Sequence, residues 1–571
     1  MPLSTLRRPD AHEVATSASP LAILKFGSSV LRSIEDLPRV AGEIYRHRRA
    51  GWRLVVIVSA LAGETDALFA QAVTVAGGVD CAGVADLVSL GEERTAALLR
   101  IACDRIGLPA EICRPEALGL TTGGDALNAH PETLNRHALQ DRLGRHGLVI
   151  VPGFVGTDEA GRRTLLGRGG SDLSAVFLGA QLGAARVRLF KDVNGVYDRD
   201  PAVLREPRRF AEISWSDAAR VAGKLIQPQA IDYAAARGLP LEIAEIGGEA
   251  PTHVGPSTGV PQPLAERRPL RIALAGYGVV GQALAARLAR EPGFEIVSIL
   301  VRDLGRTRAV GPPCPLTDRS EAFLAAEADI LVDALSCDDT GERLSRALLT
   351  SGAHVVSASK RVVARAGRSL TDLAGETGGS LLYSAAVGGA APVLETIAEA
   401  RAAGEIDEVV ATLNGTVNFI LDRLAAGAEF DAALEAARAA GFAEKDCACD
   451  LEGHDAAAKL RLIAAAAFGA DPATVAVTAE PLDAERAVEI ARSGRRWLQV
   501  ARLTRTSAEV TLEPAGACGL PALPGEWNSA RVTLDGGAVF GCVGRGAGGA
   551  ATAEAIVADL FAIHEGAAQR Q

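Results

Sequence analysis

Residues 270–284 read LRIALAGYGVVGQAL and place an apolar run directly before a glycine-rich turn and a helical run. Gly276, Gly278 and Gly281 form the pattern GxGxxG in this stretch. A further apolar run, FEIVSILV at 294–301, completes a strand–helix–strand unit. In such a unit the glycines permit a tight turn and let a pyrophosphate approach the start of the helix. The stretch therefore predicts a Rossmann domain that binds a dinucleotide.

The GxGxxG pattern alone carries little information in this chain. The chain contains 61 glycines, so roughly one chance match is expected. Gly544, Gly546 and Gly549 repeat the pattern near the C-terminus, where no second strand–helix–strand unit follows. The flanking strands therefore support the first match and not the second.

The charge at the end of the second apolar run bears on the choice of cofactor. This run ends at Val301 and is followed by Arg302 and Asp303. An acidic residue here binds the ribose of NAD, whereas an arginine accommodates the 2′-phosphate of NADP. Because Arg302 comes first, the sequence favours NADP and leaves NAD as the alternative.

Composition limits the classes of protein to which the chain can belong. Its 571 residues exceed what one core organises, and about three to four compact units are expected. A hydrophobic share of 48% with 23% charged residues is typical of a folded globular protein. The net charge of -11 and the lack of a basic stripe argue against a nucleic-acid partner. No apolar run reaches the roughly 18 residues of a membrane span, and residues 1–20 are expected to be a disordered tail rather than a signal peptide.

Cysteine and lysine usage are both informative. The nine cysteines are scattered without CxxC or Cys/His clusters, which predicts free thiols, no bound metal and a cytoplasmic location. Only six of the 59 basic residues are lysines. A lysine retained in so arginine-rich a chain is a candidate for a place where a compact or titratable amine is needed, with random survival as the alternative. The six are Lys25, Lys191, Lys224, Lys360, Lys445 and Lys459.

The chain divides into two α/β regions. Over residues 21–246, β-branched runs alternate with helical stretches and predict a largely parallel sheet. These runs are LAILKF, RLVVIVSA, GLVIVPGFV and RVRLFKDV. Residues 247–268 are rich in Gly and Pro, lack periodicity and are expected to be a linker. The second region begins at residue 269.

The segment 437–459, ARAAGFAEKDCACDLEGHDAAAK, is the most specific signal of the second region. Asp455 and Lys459 lie four residues apart and so share one face of a helix. Such a pair is usually a solvated ion pair on a helix surface. The whole segment, however, closely resembles the homoserine dehydrogenase signature, in which a glycine, an acidic residue and the block DxxGxDxxxK stand at these spacings. The matching residues are Gly441, Asp450, Gly453, Asp455 and Lys459, with Cys447 in place of the family's usual proline.

The resemblance extends over residues 269–565 and implies roles for further residues. SASKRVVA is similar to the loop that carries a catalytic lysine, here Lys360. NGTVNFIL resembles a turn near the nicotinamide, and GRGAGGAATAEAIVADL resembles the segment that returns to the nucleotide domain. By this likeness Lys459, oriented by Asp455, and Lys360 supply the proton in catalysis. The implied substrate-binding residues are Glu444, Asp450 and Thr416, and the implied cofactor-binding residues are Asn414, Gly415 and Gly546, beside Gly276, Gly278, Gly281 and Arg302.

One departure from the family concerns a monovalent cation. In YSAAVGGAAP, Ser384 stands where the family usually has a glutamate that helps to hold the ion. Carbonyl groups of Val387, Gly389 and Ala391 remain as ligands, but the charged ligand at this position is lost. We therefore expect neither sodium nor potassium to be bound.

The first region resembles the amino-acid kinase family, and aspartate kinase in particular, over residues 21–245. The similar segments are KFGSSVL, SALAGETDAL, SLGEERTAAL, GRGGSDLSA, FKDVNGVYDRDP and GKLIQP, in the family's order. The residues implied to bind ATP are Lys25, Gly27, Asp192, Tyr197, Asp200 and Lys224, and those implied to bind the substrate are Ser29, Thr65, Glu92 and Arg168. Lys25 and Asp172 are the implied catalytic residues, with Lys25 neutralising transferred charge and Asp172 ordering the lysines or Mg²⁺.

Two further features separate this region from its family. The usual Trp-Thr pair before the nucleotide loop is replaced by Phe190-Lys191. Aspartate kinases normally carry paired regulatory ACT domains after the catalytic unit, and residues 247–268 are too few to hold even one. We therefore expect that threonine and lysine do not inhibit the kinase through such domains.

Together these patterns predict an α/β protein with an amino-acid-kinase-like α/β sandwich at 21–246 and a Rossmann domain at 269–390. An α+β homoserine dehydrogenase catalytic and dimerisation domain is expected at 391–545, and a segment returning to the nucleotide domain at 546–571. The predicted function is phosphorylation of L-aspartate with ATP and Mg²⁺, and reduction of aspartate 4-semialdehyde to homoserine with NADPH or NADH, in threonine and methionine biosynthesis.

Two alternatives to this function remain open. One is a homoserine dehydrogenase whose N-terminal half is a non-catalytic binding or assembly module, and the other is a kinase for another amino acid such as glutamate. The expected partners are small-molecule substrates, with neither nucleic acid nor a membrane. We expect a homodimer or larger homo-oligomer.

Overall fold

The computed structural model describes residues 19–76, 83–199, 207–223, 225–248, 250–263, 268–440, 442–443, 447–521 and 523–569. Residues 1–18, which make up most of the predicted tail, lie outside this range. The chain divides into two compact units at residue 268. Within the described residues, no helix is long and apolar enough to span a membrane.

The N-terminal unit is built on a mostly parallel sheet with the order β11-β13-β12-β9-β1-β2-β6-β3, in which β12 and β13 are the only antiparallel pair among the described residues. A smaller sheet has the order β5-β4-β7-β8, and β10 pairs with β14. The strands are β1 Leu21–Phe26, β2 Arg53–Val58, β3 Glu111–Ile112, β4 Thr121–Asp125, β5 Asn128–Thr133, β6 Leu148–Pro152, β7 Val155–Thr157, β8 Arg163–Leu165, β9 Arg186–Lys191, β10 Arg208–Arg209, β11 Glu212–Ser214, β12 Leu241–Glu245, β13 Thr252–Gly255 and β14 Gln262–Pro263.

Helices flank this sheet because their apolar faces and the β-branched strands bury each other. Ile23 of β1, Val55 of β2 and Val149 of β6 share one fully buried core with Val176. The helices are α1 Leu37–Arg49, α2 Glu64–Ala76, α3 Gly83–Arg105, α4 Pro115–Leu118, α5 Arg136–His146, α6 Gly170–Leu182, α7 Trp215–Val221 and α8 Pro228–Ala236, with a 3₁₀ turn at Ile34–Asp36. All four apolar runs of the sequence form buried strands of the large sheet, as predicted, and the last residue of GLVIVPGFV begins β7 of the smaller sheet.

The expectation that residues 247–268 form only a linker is wrong. Within this range, β13 pairs in parallel with β11 and antiparallel with β12, so it is an integral strand of the large sheet. Thr252 is fully buried, and its hydroxyl accepts a hydrogen bond from Val196 N at 2.9 Å. Tertiary pairing therefore outweighs a local composition rich in Gly and Pro.

The C-terminal unit begins with a fully parallel sheet of order β17-β16-β15-β18-β19-β20. In chain order this is 3-2-1-4-5-6, the order of a dinucleotide-binding Rossmann domain, and it confirms the predicted fold. Its elements are β15 Leu270–Ala275, α9 Val279–Leu288, β16 Phe294–Leu300, β17 Leu316–Thr317, α10 Ser320–Leu324, β18 Ile330–Asp333, α11 Asp338–Thr350, β19 His354–Ser357, α12 Lys360–Thr377 and β20 Leu381–Leu382.

A second, mostly antiparallel sheet of order β22-β24-β23-β21-β25-β26 follows in the same unit. Its elements and neighbours are α13 Ser384–Val387, α14 Val393–Ala403, β21 Ile406–Thr412, α15 Gly415–Ala425, α16 Phe430–Ala439, α17 Ala448–Leu451, α18 His454–Phe468, β22 Thr478–Ala479, α19 Ala484–Arg492, β23 Trp497–Thr504, β24 Ala508–Pro514, β25 Trp527–Leu534, β26 Val539–Arg545 and α20 Gly549–Gln569. Helix α20 packs back on α9, where Arg287 pairs with Glu554 at 2.9 Å.

Candidate functional sites

Two of the three glycines after β15 are required by close contacts within the protein, and the third faces open space. Gly276 has a φ of +103°, and a Cβ there would lie 2.5 Å from the carbonyl oxygen of Ala334. A Cβ on Gly281 would lie 2.2 Å from the carbonyl oxygen of Gly276. At Gly278 a Cβ would meet no described atom within 4 Å. Gly276 and Gly281 therefore pack against the protein backbone, whereas the surface at Gly278 is open. This arrangement leaves room for a pyrophosphate at the start of α9.

The loop after β16 is rich in arginine. Arg302 and Asp303 are exposed directly after the end of the strand. Arg308 donates to the carbonyl oxygens of Asp303 at 2.6 Å and of Arg306 at 2.7 Å, which folds the loop on itself. Three guanidinium groups thus stand beyond the strand end where a dinucleotide's adenosine ribose binds.

A buried carboxylate between two lysines forms the centre of the second site of this unit. Asp455 lies in the first turn of α18, and Lys459 follows it one turn later at 2.9 Å. Lys360, the first residue of α12, contacts the other oxygen of Asp455. Lys459 also donates to the carbonyl oxygen of Leu413 at 2.6 Å. These residues lie far apart in the sequence, and the structure brings them together as the resemblance implies.

Electrostatic interactions keep Asp455 and Lys360 ionised. Burial alone would raise the pKa of Asp455, but Lys459 and Lys360 outweigh it and lower the pKa to about 2. Burial would lower the pKa of Lys360. The Asp455 carboxylate outweighs this effect, so the pKa of Lys360 is raised above its ordinary value. Lys360 is therefore a protonated ammonium at neutral pH.

Asn414 joins this cluster, although the resemblance places it at the cofactor. Its amide donates to Asp450 Oδ1 at 2.8 Å and to Asp455 Oδ2 at 3.2 Å. Its own oxygen accepts from Val417 N at 3.0 Å and caps α15. Burial raises the pKa of Asp450, with the Asn414 hydrogen bond opposing that rise. Asn414 thus holds two carboxylates beside each other.

The other predicted dehydrogenase residues do not contact the Asp455 cluster in a common way, and those that the structure describes differ in their contacts. The hydroxyl of Thr416 donates to the carbonyl oxygen of Phe442 at 2.7 Å, so it anchors the following loop. A Cβ on Gly415 would lie 3.1 Å from the carbonyl oxygen of Gly525. Gly546 follows β26, and a Cβ there would lie 2.4 Å from Asn528 Oδ1. Glu444 lies outside the described residues.

The region of the family's cation site does contain a carboxylate. The hydroxyl of Ser384 donates to Glu395 Oε2 at 2.9 Å. The carbonyl oxygen of Ala391 accepts from Val393 N at 2.8 Å, so it is engaged within the protein. Across the described residues, no group of three or more His, Cys, Asp or Glu side chains is placed to hold a metal ion.

The N-terminal unit has a cavity of about 610 Å³ at the carboxyl ends of β1, β2 and β9. Most of the residues predicted for the kinase site line it. These are Lys25, Gly27, Ser29, Thr65, Glu92, Arg168, Asp172 and Asp192. Segments separated by more than a hundred residues thus meet in one concave site.

A second buried carboxylate between two lysines lies at the base of this cavity. Asp172, in the first turn of α6, is 2.6 Å from Lys25 Nζ and 3.0 Å from Lys191 Nζ. Burial would raise the pKa of Asp172, but the two ammonium groups lower it to about 2. Burial, aided by Lys191, lowers the pKa of Lys25 despite the Asp172 carboxylate. A Cβ on Gly27 would lie 2.6 Å from Lys25 Nζ, so this glycine leaves room for the ammonium.

Glu92 is a buried acid without a full set of partners. It is 2% exposed, and its Oε1 accepts from Ala60 N at 3.2 Å. Its Oε2 has no hydrogen-bond partner among the described residues. Burial raises the pKa of Glu92 to about 7. An ammonium group placed in the cavity would satisfy this oxygen and restore the charge.

Three predicted ATP-binding residues are not part of the described cavity lining. Tyr197 hydrogen-bonds Asn194 and forms a β-bridge with Arg209. Asp200 and Lys224 lie outside the described residues. Lys191, by contrast, lines the cavity, although the sequence marks it only as one of the six retained lysines and as a departure from the family, without a role in the site.

Comparison with known proteins assigns both units. Residues 20–244 match the amino acid kinase family, residues 276–384 match the homoserine dehydrogenase NAD binding domain, and residues 392–561 match homoserine dehydrogenase. The chain is thus an α/β protein whose N-terminal unit matches the amino acid kinase family and whose C-terminal unit contains a dinucleotide-binding domain. The chain belongs to the homoserine dehydrogenase family.

Individual relatives cover the two halves separately. A homoserine dehydrogenase from Synechocystis sp. is 31% identical over 318 residues, which cover 52% of this chain and 73% of that protein. An aspartate kinase from Pseudomonas putida is 33% identical over 234 residues, 40% of this chain and 57% of that protein. The chain thus spans little more than half the length of this aspartate kinase. A crystal structure of a homoserine dehydrogenase from Thiobacillus denitrificans has 30% sequence identity and a TM-score of 0.48, covering 52% of this chain and 73% of that chain.

Proposed function

We propose that the chain is a bifunctional enzyme that phosphorylates L-aspartate and reduces aspartate 4-semialdehyde to homoserine. One observation carries the proposal: each unit has a buried aspartate held between two of the chain's few lysines, beside a nucleotide-binding fold. The kinase product must be reduced to the aldehyde by another enzyme before the second reaction. The two reactions therefore belong to one route towards threonine and methionine, and direct transfer between the sites does not follow from their being on one chain.

Catalysis of the kinase reaction mainly requires neutralisation of phosphate charge and positioning of the two substrates. The γ-phosphoryl group moves from ATP to an oxygen of the aspartate side-chain carboxylate; the bond to ADP breaks, and no proton has to be removed. Lys25 would neutralise charge on the transferred group, and Arg168 would bind a substrate carboxylate. Glu92, with its unpartnered oxygen, would bind the amino group. Asp172 would order the lysines or a bound Mg²⁺, which would supply further neutralisation of charge.

The dehydrogenase reaction requires a proton donor and a group that stabilises negative charge on the aldehyde oxygen. A bound nicotinamide cofactor would supply the hydride to the aldehyde carbon. The C=O electron pair moves to the oxygen, which takes a proton from a lysine ammonium and becomes the homoserine hydroxyl. Lys459 and Lys360 stand on the two sides of Asp455 and would act on this oxygen. Asp450, with Glu444, would bind the polar groups of the amino acid.

We propose NADP as the preferred cofactor, supported by the arginine-rich loop after β16. Replacing Arg302 with alanine should lower affinity for NADP about 10- to 100-fold, because one charge-assisted contact to the 2′-phosphate is lost. Affinity for NAD should change little. Kd values from fluorescence titration of both cofactors test this, with Arg343→Ala, an exposed arginine of the same domain that donates to Ser320, as the control. Equal losses for both cofactors would contradict the assignment.

Release of ADP that depends on aspartate, with ATP and Mg²⁺ present, tests the kinase half. We expect turnover in the parent protein and its loss in Lys25→Ala. Turnover with glutamate instead of aspartate would assign another substrate. No turnover with either amino acid would leave the N-terminal unit as a binding or assembly module of a homoserine dehydrogenase.

We also propose that the protein is cytoplasmic and forms a homodimer or larger homo-oligomer that acts on small molecules. The cytoplasmic location is supported by cysteine chemistry. The eight cysteines among the described residues are all free thiols, which suits a reducing compartment. The oligomeric state can be measured by light scattering on the full chain.

A further inference from the structure

Lys191 occupies an unusual place in the kinase cavity. It is the last residue of β9, which pairs in parallel with β1, the strand that carries Lys25. Lys191 is 7% exposed, lines the cavity and lies 3.0 Å from Asp172. Its ammonium therefore enters the same buried site as that of Lys25, from the neighbouring strand end.

The charges within the cluster of Lys25, Asp172 and Lys191 do not balance. Two ammonium groups share the single carboxylate of Asp172, which leaves one surplus positive charge in a buried place. Three other acids of the described lining, Asp66, Glu92 and Asp192, form no ion pair with either lysine among the described residues. A buried unpaired charge is costly, so such an excess is retained where an anion binds.

The backbone around the site also favours an anion. Helix α6 begins at Gly170, and its positive end faces the cavity lined by Gly169, Gly170 and Ser171. A polyanion such as a nucleotide phosphate chain would meet this helix end and both ammonium groups together. Lys25 alone would leave an electrically neutral pair with Asp172.

We propose that Lys191 is a phosphate-binding residue of the kinase site, acting with Lys25 on the phosphate chain of ATP. The inference rests on the proposed aspartate kinase function and deepens it. During transfer, negative charge is shared between the β-phosphate that leaves and the carboxylate oxygen that attacks. A second ammonium at this point stabilises that charge, so Lys191 serves both binding and turnover.

Replacing Lys191 with methionine tests this in the full chain. The Lys25–Asp172 pair remains and loses a like-charged neighbour, so the variant should fold with a Tm at least that of the parent. Affinity for MgATP, measured by calorimetry, should fall about 10- to 100-fold, as for the loss of one charge-assisted contact. Affinity for AMP, which lacks the β- and γ-phosphates, should change little. The basic limb of the kinase pH profile should move to higher pH, because Lys191 depresses the pKa of Lys25.

A matched control lies on the same strand. Arg188 is also buried and pairs with Glu242 at 2.6 Å, three residues before Lys191. Arg188→Met should change Tm but neither MgATP affinity nor kinase turnover. Parent-like MgATP affinity and turnover in Lys191→Met would overturn the role of Lys191 while leaving the kinase function intact. A parent that binds MgATP without turnover, with weaker binding in Lys191→Met, would support Lys191 and refute the kinase function. A parent that binds no MgATP would refute both.

Discussion

Lys459→Ala is expected to lower the rate of homoserine oxidation by about 10²- to 10⁴-fold while leaving dinucleotide affinity unchanged. The ammonium of Lys459 is fixed by Asp455 at 2.9 Å and by the Leu413 carbonyl at 2.6 Å. Its loss removes both the proton carrier and the charge that stabilises the oxygen of the reacting group. Steady-state kinetics with homoserine and NADP, and a separate titration of cofactor binding, measure the two effects.

A control on the same helix separates chemistry from folding. Arg461 lies two residues beyond Lys459 and donates to the carbonyl oxygen of Val475 at 3.1 Å, outside the Asp455 cluster. Arg461→Ala should keep parent-like kcat. If Lys459→Ala retained activity and Lys360→Ala lost it, the proton donor would be Lys360, and the assignment of Lys459 would be wrong.

Local sequence patterns predicted the Rossmann domain well because the steric requirements of its glycine-rich turn are local. The turn at Gly276 and the close contact at Gly281 are met within a few residues of the motif. The β-branched runs of the N-terminal unit were likewise identified as strands, since buried parallel strands are apolar along their whole length. For these elements the type follows from the local sequence pattern.

Features that depend on distant partners escaped prediction. Strand β13 was missed because its stability comes from pairing with β11 and β12 rather than from its own composition. Asn414 reaches Asp450 and Asp455, some forty residues further along the chain, and no local pattern encodes that contact. The strand order that places Lys191 beside Lys25 is also a property of the whole sheet. Only the rarity of lysine marked Lys191 in the sequence.

Asp172→Asn is expected to abolish kinase turnover and to destabilise the N-terminal unit by about 3–5 kcal/mol. Asparagine keeps the shape of the side chain but leaves two buried ammonium groups without a counter-charge. Thermal or urea unfolding measures the stability, and ADP release measures the activity. Homoserine oxidation in the same sample reports whether the C-terminal unit is folded.

Stability of the N-terminal unit should also depend on pH through Asp172. Its pKa is about 2 in the folded protein against an ordinary value of 3.8. A carboxyl with a depressed folded-state pKa contributes its stabilisation fully above the ordinary value, and the contribution is lost as pH falls towards 2. Unfolding of the parent between pH 5 and 2 should therefore show a loss that Asp172→Asn lacks.

A double variant distinguishes two causes of the lost stability, repulsion between buried ammonium groups and loss of packing at Asp172. Adding Lys191→Met to Asp172→Asn removes one of the two unpaired ammonium groups, so a large part of the lost stability should return. Kinase turnover should not return, because both the carboxylate and the second ammonium are then missing from the site. If the double variant were no more stable than Asp172→Asn, the destabilisation would come from packing at Asp172 rather than from buried like charges. A recovery of stability without activity would show that a site built for an anionic ligand sacrifices folding free energy to keep two ammonium groups together.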